Sequence, residues 1–246
     1  MLKIQRIGEM LPCDTEVFEV AGARAFVFLP RADVRKTPTP WVWYAPTFLD
    51  GNPGTENVPI FRRCLECGIA VAGIEVGESY GNPAGRALFT AFYRHLVDTY
   101  GFTQKVVLHP QSRGGLMLYN WAVEHPEFVA ASVGIYTVCD IRSYPGVSTA
   151  APAYGMTAEE FETVLSKHNP IDRLAPLAEH NVPILHIHGD SDPLVPLEAN
   201  SAEFARRYHA LGGSMEVIVV HGKGHEAIPA YFERHELMDF CVRYAP

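Results

Sequence analysis

Cysteine is scarce and odd in number, five in 246 residues with no dense spacing. That usage fits reduced thiols and excludes a disulfide framework. Long apolar runs are also missing. The longest, over 128–139, is broken by Ser132 and Thr137 and falls short of the ~18 residues a membrane helix needs. Positive charge is in deficit, with 20 Lys and Arg against 28 Asp and Glu, and the net charge of −8 disfavours nucleic acid and anionic membrane as partners. There is no internal repeat, low-complexity tract or like-charge run to mark a linker. Glu9, Asp14, Glu16 and Glu19 interrupt the apolar segment a secretory leader would need, so the expected location is cytoplasmic. What is present, 48% hydrophobic and 20% charged residues, suits a single globular domain over 1–246 with a large core.

The chain opens with three β-rich segments, 16–20, 25–29 and 41–45, each bounded by Gly or Pro. Helix-like and strand-like stretches then alternate. Helices are expected at 57–67, 84–100, 114–125, 197–211 and 231–244, and strands at 69–74, 105–109, 129–138, 183–188 and 216–220. Strands alternating with helices of this length require crossover connections, hence an α/β fold with a mostly parallel, doubly wound sheet. The first strands, with no helix between them, form an antiparallel edge. Segment 140–178, rich in Pro and Gly with one helix at 158–167, breaks the alternation and reads as a short cap-like insertion.

In such a sheet, chemistry collects in the loops at the carboxyl ends of strands. After 105–109 comes Pro110-Gln111-Ser112-Arg113-Gly114-Gly115, a tight turn that would lift the Ser112 hydroxyl to a helix amino end. A Ser there can equally be a simple helix cap. After 183–188 comes Gly189-Asp190-Ser191-Asp192-Pro193, in which either aspartate can be a turn former. After the last strand comes His221-Gly222-Lys223-Gly224-His225. The joint pattern is more informative than any one loop. Ser112, Asp192 and His225 fall in the order nucleophile, acid, base, each past a strand end.

On these loops the sequence resembles the α/β-hydrolase superfamily over nearly its whole length. His188-Gly189-Asp190-Ser191-Asp192 with Val195-Pro196 is similar to that superfamily's acid loop, and Gly222-Lys223-Gly224-His225 to its histidine loop. The nucleophile turn departs from G-x-S-x-G, since Pro110 stands at the first Gly position. Locally, Ser112-Arg113-Gly114 resembles the nucleophile turn of glucuronoyl esterases. The resemblance implies a serine hydrolase that cleaves a carboxylic ester, carbohydrate or otherwise polar, through an acyl-enzyme. The catalytic residues would be Ser112, Asp192 and His225, with no cofactor or metal. The Arg113 N–H would be one oxyanion donor. The second would come from the loop after 41–45, either the Thr47 or Phe48 backbone, since Pro46 has no N–H, or the Tyr44 hydroxyl, since prolyl-oligopeptidase-like relatives use a Tyr. Tyr44 reads as well as a core aromatic at a strand end.

Glu78 and Tyr80 on the loop after 69–74, and Tyr144 on the insertion, are the expected substrate-binding residues for this small-molecule ester. Asp140 is the alternative triad acid. His186 and His188 share a strand face and with Asp190 and Asp192 could form a metal site, but Ile184-Leu185-His186-Ile187-His188-Gly189 resembles the superfamily's strand before the acid loop, which needs no cation. Cys64-x-x-Cys67 lies in a proposed helix without a second ligand pair and reads as packing. A peptidase or amidase, and a non-catalytic ligand binder of the same fold, are the rival functions. The sequence leaves the oligomeric state open.

Overall fold

The computed structural model describes residues 2–246. Its framework is one eight-stranded sheet: β1 (Cys13–Val20), β2 (Ala23–Pro30), β3 (Trp41–Ala45), β4 (Ala70–Ile74), β5 (Val106–Pro110), β6 (Val129–Ile135), β7 (Ile184–Gly189) and β8 (Met215–Val220). The spatial order is β1-β2-β4-β3-β5-β6-β7-β8. β1 and β2 run antiparallel at one edge and the remainder are parallel, as expected for the doubly wound sheet.

Among the described residues ten α-helices accompany the sheet: α1 (Lys3–Glu9), α2 (Val58–Glu66), α3 (Pro83–Tyr100), α4 (Gly114–Ala122), α5 (Val147–Ala150), α6 (Ala158–Val164), α7 (Ala175–Glu179), α8 (Ser201–Ala210), α9 (Pro229–Phe232) and α10 (His235–Tyr244). The central strands β3, β4 and β5 are buried along their full length. Their period-2 alternation therefore feeds two apolar layers. Trp41, Trp43 and Ala45 join α3, α4 and α8 on one face, while Val42 and Tyr44 join α1, α2 and α10 on the other. Each large side chain so buried contributes roughly 1.5–3 kcal/mol.

Local chemistry explains several boundaries. Asn82 caps α3 by accepting from the Gly85 N–H at 2.7 Å, Pro83 occupies the first turn, and Gly101 closes the helix in the left-handed region at φ 66°. Other expected elements are divided. The strand expected to reach 138 stops at Ile135, because Tyr136 turns to φ 36°. The helix expected over 197–211 is interrupted at Asn200, whose side-chain carbonyl accepts from the N–H groups of Cys139 and Asp140. The helix expected over 231–244 is two pieces, α9 and α10. α1 has no counterpart in the sequence expectations; it is short, and its apolar contribution to the core is Ile4 and Ile7.

Segment 140–178 is more structured than its single expected helix. It carries α5, α6 and α7, and α6 starts with a capping box between Thr157 and Glu160. Its Ile141, Ala150, Phe161 and Leu165 form a separate apolar cluster with Leu116 of α4 and Val195. The insertion thus rests on the helix that follows the expected nucleophile. Among the described residues no helix is long and apolar enough to cross a membrane.

Candidate active site

Strand β3 pairs with β4 on one side and β5 on the other, so the chain reverses direction across the sheet here and opens a crevice at the carboxyl ends of β3 and β5. Ser112 follows β5 at that crevice. Its backbone lies in the left-handed region, φ 51°, with its N–H donating to Ile135 O and its carbonyl accepting from Val138. Pro110 does not disturb the turn. It is still strand, paired with Ala45, and the residue that takes the positive φ is Ser112.

The small residue the turn does require is Gly114. A Cβ there would stand 2.0 Å from the Ala45 carbonyl oxygen and 2.6 Å from the Pro46 nitrogen, both main-chain atoms. Gly114→Ala is therefore expected to cost about 1–3 kcal/mol through overpacking, lowering the melting temperature by several degrees in a chain of this size. Differential scanning fluorimetry checks this, and an unchanged melting point would contradict the described packing.

Three loops converge. Ser112 Oγ lies 2.9 Å from His225 Nε2, and His225 Nδ1 lies 2.7 Å from Asp192 Oδ2. A carboxylate only accepts, so Nδ1 carries the imidazole proton and Nε2 presents its lone pair to the Ser112 hydroxyl. Asp192 is buried, and its other oxygen accepts from the N–H groups of Leu194 and Val195 at 2.9 and 2.8 Å. Burial alone would raise its pKa, but the hydrogen bonds from His225 and these two amides outweigh it and hold the carboxyl below its ordinary value. The acid and histidine loops are zipped together. Asp190 accepts from Gly222 N and contacts His221, Ser191 N donates to Lys223 O, and Gly189 leaves room for the Lys223 carbonyl, which a Cβ would meet at 2.1 Å.

The N–H groups of Arg113 and Thr47 have no hydrogen-bond partner among the described residues. The Phe48 N–H is taken by Asn52 O, and Pro46 has none, so Thr47 is the donor left on that loop. Tyr44 is a correction. Its hydroxyl is fully buried and donates to Gln111 Oε1 at 2.8 Å, so its proton is committed beneath the site and not offered to an oxyanion. Asp140, the alternative acid, is engaged elsewhere: its carboxylate binds the Arg142 backbone and Asn169 at 2.9 Å each and makes no contact with His225.

Glu78, Tyr80 and Tyr144 lie on loops beside the nucleophile turn. Glu78 forms a two-point ion pair with Arg113, at 2.9 and 2.8 Å, and the guanidinium lies over the Phe48 ring at 5.3 Å. Tyr80 and Tyr144 pack against the apolar cluster of the insertion. Not expected from sequence are Tyr136, whose ring lies 4.2 Å from that of His225, and the buried group of Asn57, Gln111 and Tyr136 below it. The signal was available in Gln111 and His109, two polar residues at the end of an otherwise apolar strand.

His186 and His188 are buried and both reach Ser201 Oγ, at 2.8 Å. Among the described residues no group of three His, Cys, Asp or Glu is placed to hold a metal ion. Cys64 is buried on α2 while Cys67 is half-exposed past its end.

Several solved structures share the architecture. Pyrococcus horikoshii acylaminoacyl peptidase superposes with a TM-score of 0.72 at 16% identity, over 98% of this chain and 43% of that one. Porphyromonas gingivalis dipeptidyl peptidase 4 gives 0.68 at 16% identity, over 87% of this chain and 32% of that one. A thermostable esterase gives 0.69 at 15% identity, over 96% of this chain and 64% of that one. The chain thus spans less than half the length of either peptidase. No curated protein sequence matches it. The sequence model of the prolyl oligopeptidase family matches residues 89–245. That match runs from within α3 to the end of α10 and takes in all three converging loops, and with it the chain belongs to the prolyl oligopeptidase family, on an α/β-hydrolase fold.

Proposed function

We infer that the protein is a serine hydrolase of carboxylic esters. The observation that carries this reading is the series Ser112 Oγ, His225, Asp192, joined at 2.9 and 2.7 Å beside two unpartnered N–H groups. His225 takes the Ser112 proton as Oγ attacks the acyl carbonyl, and returns it to the leaving alcohol. Asp192 steadies the imidazolium. The Arg113 and Thr47 N–H groups receive the oxyanion, and one such donor is worth about 2.7–4 kcal/mol. Water then releases the acid.

The acyl group is polar, a carbohydrate acid or similar, because the Arg113–Glu78 ion pair stands at the nucleophile turn and Tyr80 and Tyr144 lie on the neighbouring loops. Here Glu78 already neutralises Arg113, so a neutral polar acyl group is favoured over an anionic one. Glu78→Ala is expected to raise kcat/KM on anionic esters relative to neutral ones by up to about fivefold, the effect of a half-exposed ion pair worth at most ~1 kcal/mol. An unchanged ratio would remove Arg113 from substrate recognition.

The rival reading is cleavage of a peptide or amide bond, and the family match favours it. Both readings pass through the same acyl-enzyme. The experiment is a panel of p-nitrophenyl esters beside aminoacyl p-nitroanilides, with fluorophosphonate labelling of Ser112 read by mass spectrometry. Turnover of esters with little of anilides supports the ester reading, and the reverse supports the peptidase. No turnover of either together with no label would leave a binding protein on a hydrolase fold.

A further inference from the structure

A buried chain of hydrogen bonds runs beneath the site from α4 to the acid loop. Ser132 Oγ lies 2.9 Å from Tyr119 Oη, and Tyr119 Oη 2.7 Å from His186 Nε2. His186 Nδ1 and His188 Nδ1 both lie 2.8 Å from Ser201 Oγ, and His188 Nε2 lies 2.8 Å from the Val195 carbonyl. All five side chains are fully or almost fully buried.

The end of this chain dictates every proton in it. The Val195 carbonyl only accepts, so His188 carries its proton on Nε2. Burial lowers the pKa of both histidines, so each is neutral and His188 Nδ1 is an acceptor. The single Ser201 proton must then point to His188, and Ser201 Oγ can only accept from His186 Nδ1–H. His186 Nε2 in turn accepts from Tyr119, and Tyr119 accepts from Ser132. No other arrangement satisfies all six groups.

The carbonyl that fixes this direction belongs to the residue whose N–H caps Asp192 Oδ1 at 2.8 Å. Val195 is thus held from both sides, its N–H by Asp192 and its C=O by His188. The same His188 Nε2–H stands 3.7 Å from Asp192 Oδ2, the oxygen that accepts from His225. At the other end, Tyr119 lies on the helix that begins just after Ser112. The titratable groups around His188 are Asp192 and His225 on the loop side and His186 on its own strand.

We propose that His188 is a positioning residue for the triad acid: its Nε2–H, set by the Val195 carbonyl and matched at Nδ1 by the Ser201 hydroxyl and the chain behind it, holds the Val195 turn so that it aims the Asp192 carboxylate at His225. This deepens the hydrolase reading and rests on it. His188 touches no substrate; it acts through Asp192, and the chain ties the acid loop to the helix of the nucleophile.

The test compares His188→Phe, which keeps most of the volume without the donor, with His188→Gln, whose amide N–H can replace Nε2–H. His188→Phe is expected to lower kcat on a p-nitrophenyl ester roughly tenfold to a hundredfold with KM unchanged. The acidic limb of its kcat/KM profile moves to lower pH, because a poorly aimed carboxylate stabilises the imidazolium less. His188→Gln recovers most of the rate. Independently of any substrate, the downfield proton signal of the His225 Nδ1–H bond to Asp192 should shift or vanish in His188→Phe and return in His188→Gln. That signal separates this proposal from the hydrolase reading, since it is measurable in a chain that cleaves nothing. A folded His188→Phe with a wild-type pH profile and an unmoved proton signal overturns the proposal. If His188→Phe does not fold, Ser201→Ala takes its place; it removes the hydroxyl that holds the His188 ring at Nδ1 and is expected to shift the same profile and signal, and no shift overturns the proposal equally.

Discussion

Ser112→Ala is expected to lower kcat on an activated ester about a millionfold, and Asp192→Asn about ten-thousandfold. The two losses differ because the changes remove different things. Ala deletes the attacking oxygen and leaves only binding and the oxyanion donors. Asn keeps the shape of Asp192, and its carbonyl can still accept from Leu194 and Val195. Its NH₂ group then faces His225 Nδ1, which must become an acceptor, so the ring proton moves to Nε2 and points at the Ser112 hydroxyl. The base is present with its lone pair on the wrong side. Asp140→Asn is expected to stay within a few-fold of wild type, because that carboxylate is committed to Asn169 and Arg142. Steady-state turnover of the three variants decides the matter, and a loss confined to Asp140→Asn would overturn the assignment of the acid.

Acidification from pH 7 to pH 4.5 is expected to remove on the order of 5 kcal/mol of stability, well before most carboxylates titrate. His109 and His186 are fully buried, and burial depresses their pKa from 6.5 to about 4 and about 3. Below pH 6.5 the unfolded chain binds protons at these positions that the folded chain refuses. Each histidine then costs roughly 1.4 kcal/mol per pH unit, down to its folded pKa. Two of them over two pH units reach the scale of a whole domain's stability, about 5–15 kcal/mol. Asp172 and Asp192 act in a lower window. Their folded pKa values are depressed, so their stabilisation is complete above pH 3.8 and is lost only as pH falls through those lower values. Urea denaturation at pH 7, 5.5 and 4.5 measures the slope; equal midpoints at pH 7 and 4.5 would refute the neutral burial of these rings.

The parts of the fold legible in sequence were those set by period and punctuation. The apolar runs at 41–45, 69–74 and 183–188 read as strands from their length, β-branched and aromatic residues and flanking Pro or Gly, and the Pro and Gly around 84–100 mark the ends of α3. The converging loops were legible too, because a doubly wound sheet brings strand ends together whatever their separation in sequence. What stayed hidden depends on where one side chain lands. Tyr44 reads the same whether its hydroxyl faces the crevice or Gln111, and only the register of β3 against β5 settles it. Asp140 reads like an acid at a strand end until Asn169, 29 residues later, folds back onto it. Asn200 looked like one more residue within a helix, yet it breaks that helix to hold Cys139 and Asp140. α1 was invisible because two isoleucines over seven residues make no readable period.

The two ends of the 140–172 excursion are fastened to one another. Ile141 N–H donates to the Asn169 side chain, Ile171 N–H to the Cys139 carbonyl, and Asn169 reaches both Asp140 and Asp172. Arg207 of α8 clamps Asp172 from outside. The excursion therefore closes on its own base, while its interior rests on Leu116 and Val195 and is tied to Tyr80, Asn82 and Asn120. Its two ends leave and rejoin the body of the fold side by side, so the length of the segment between them is not tied to the register of β6 against β7.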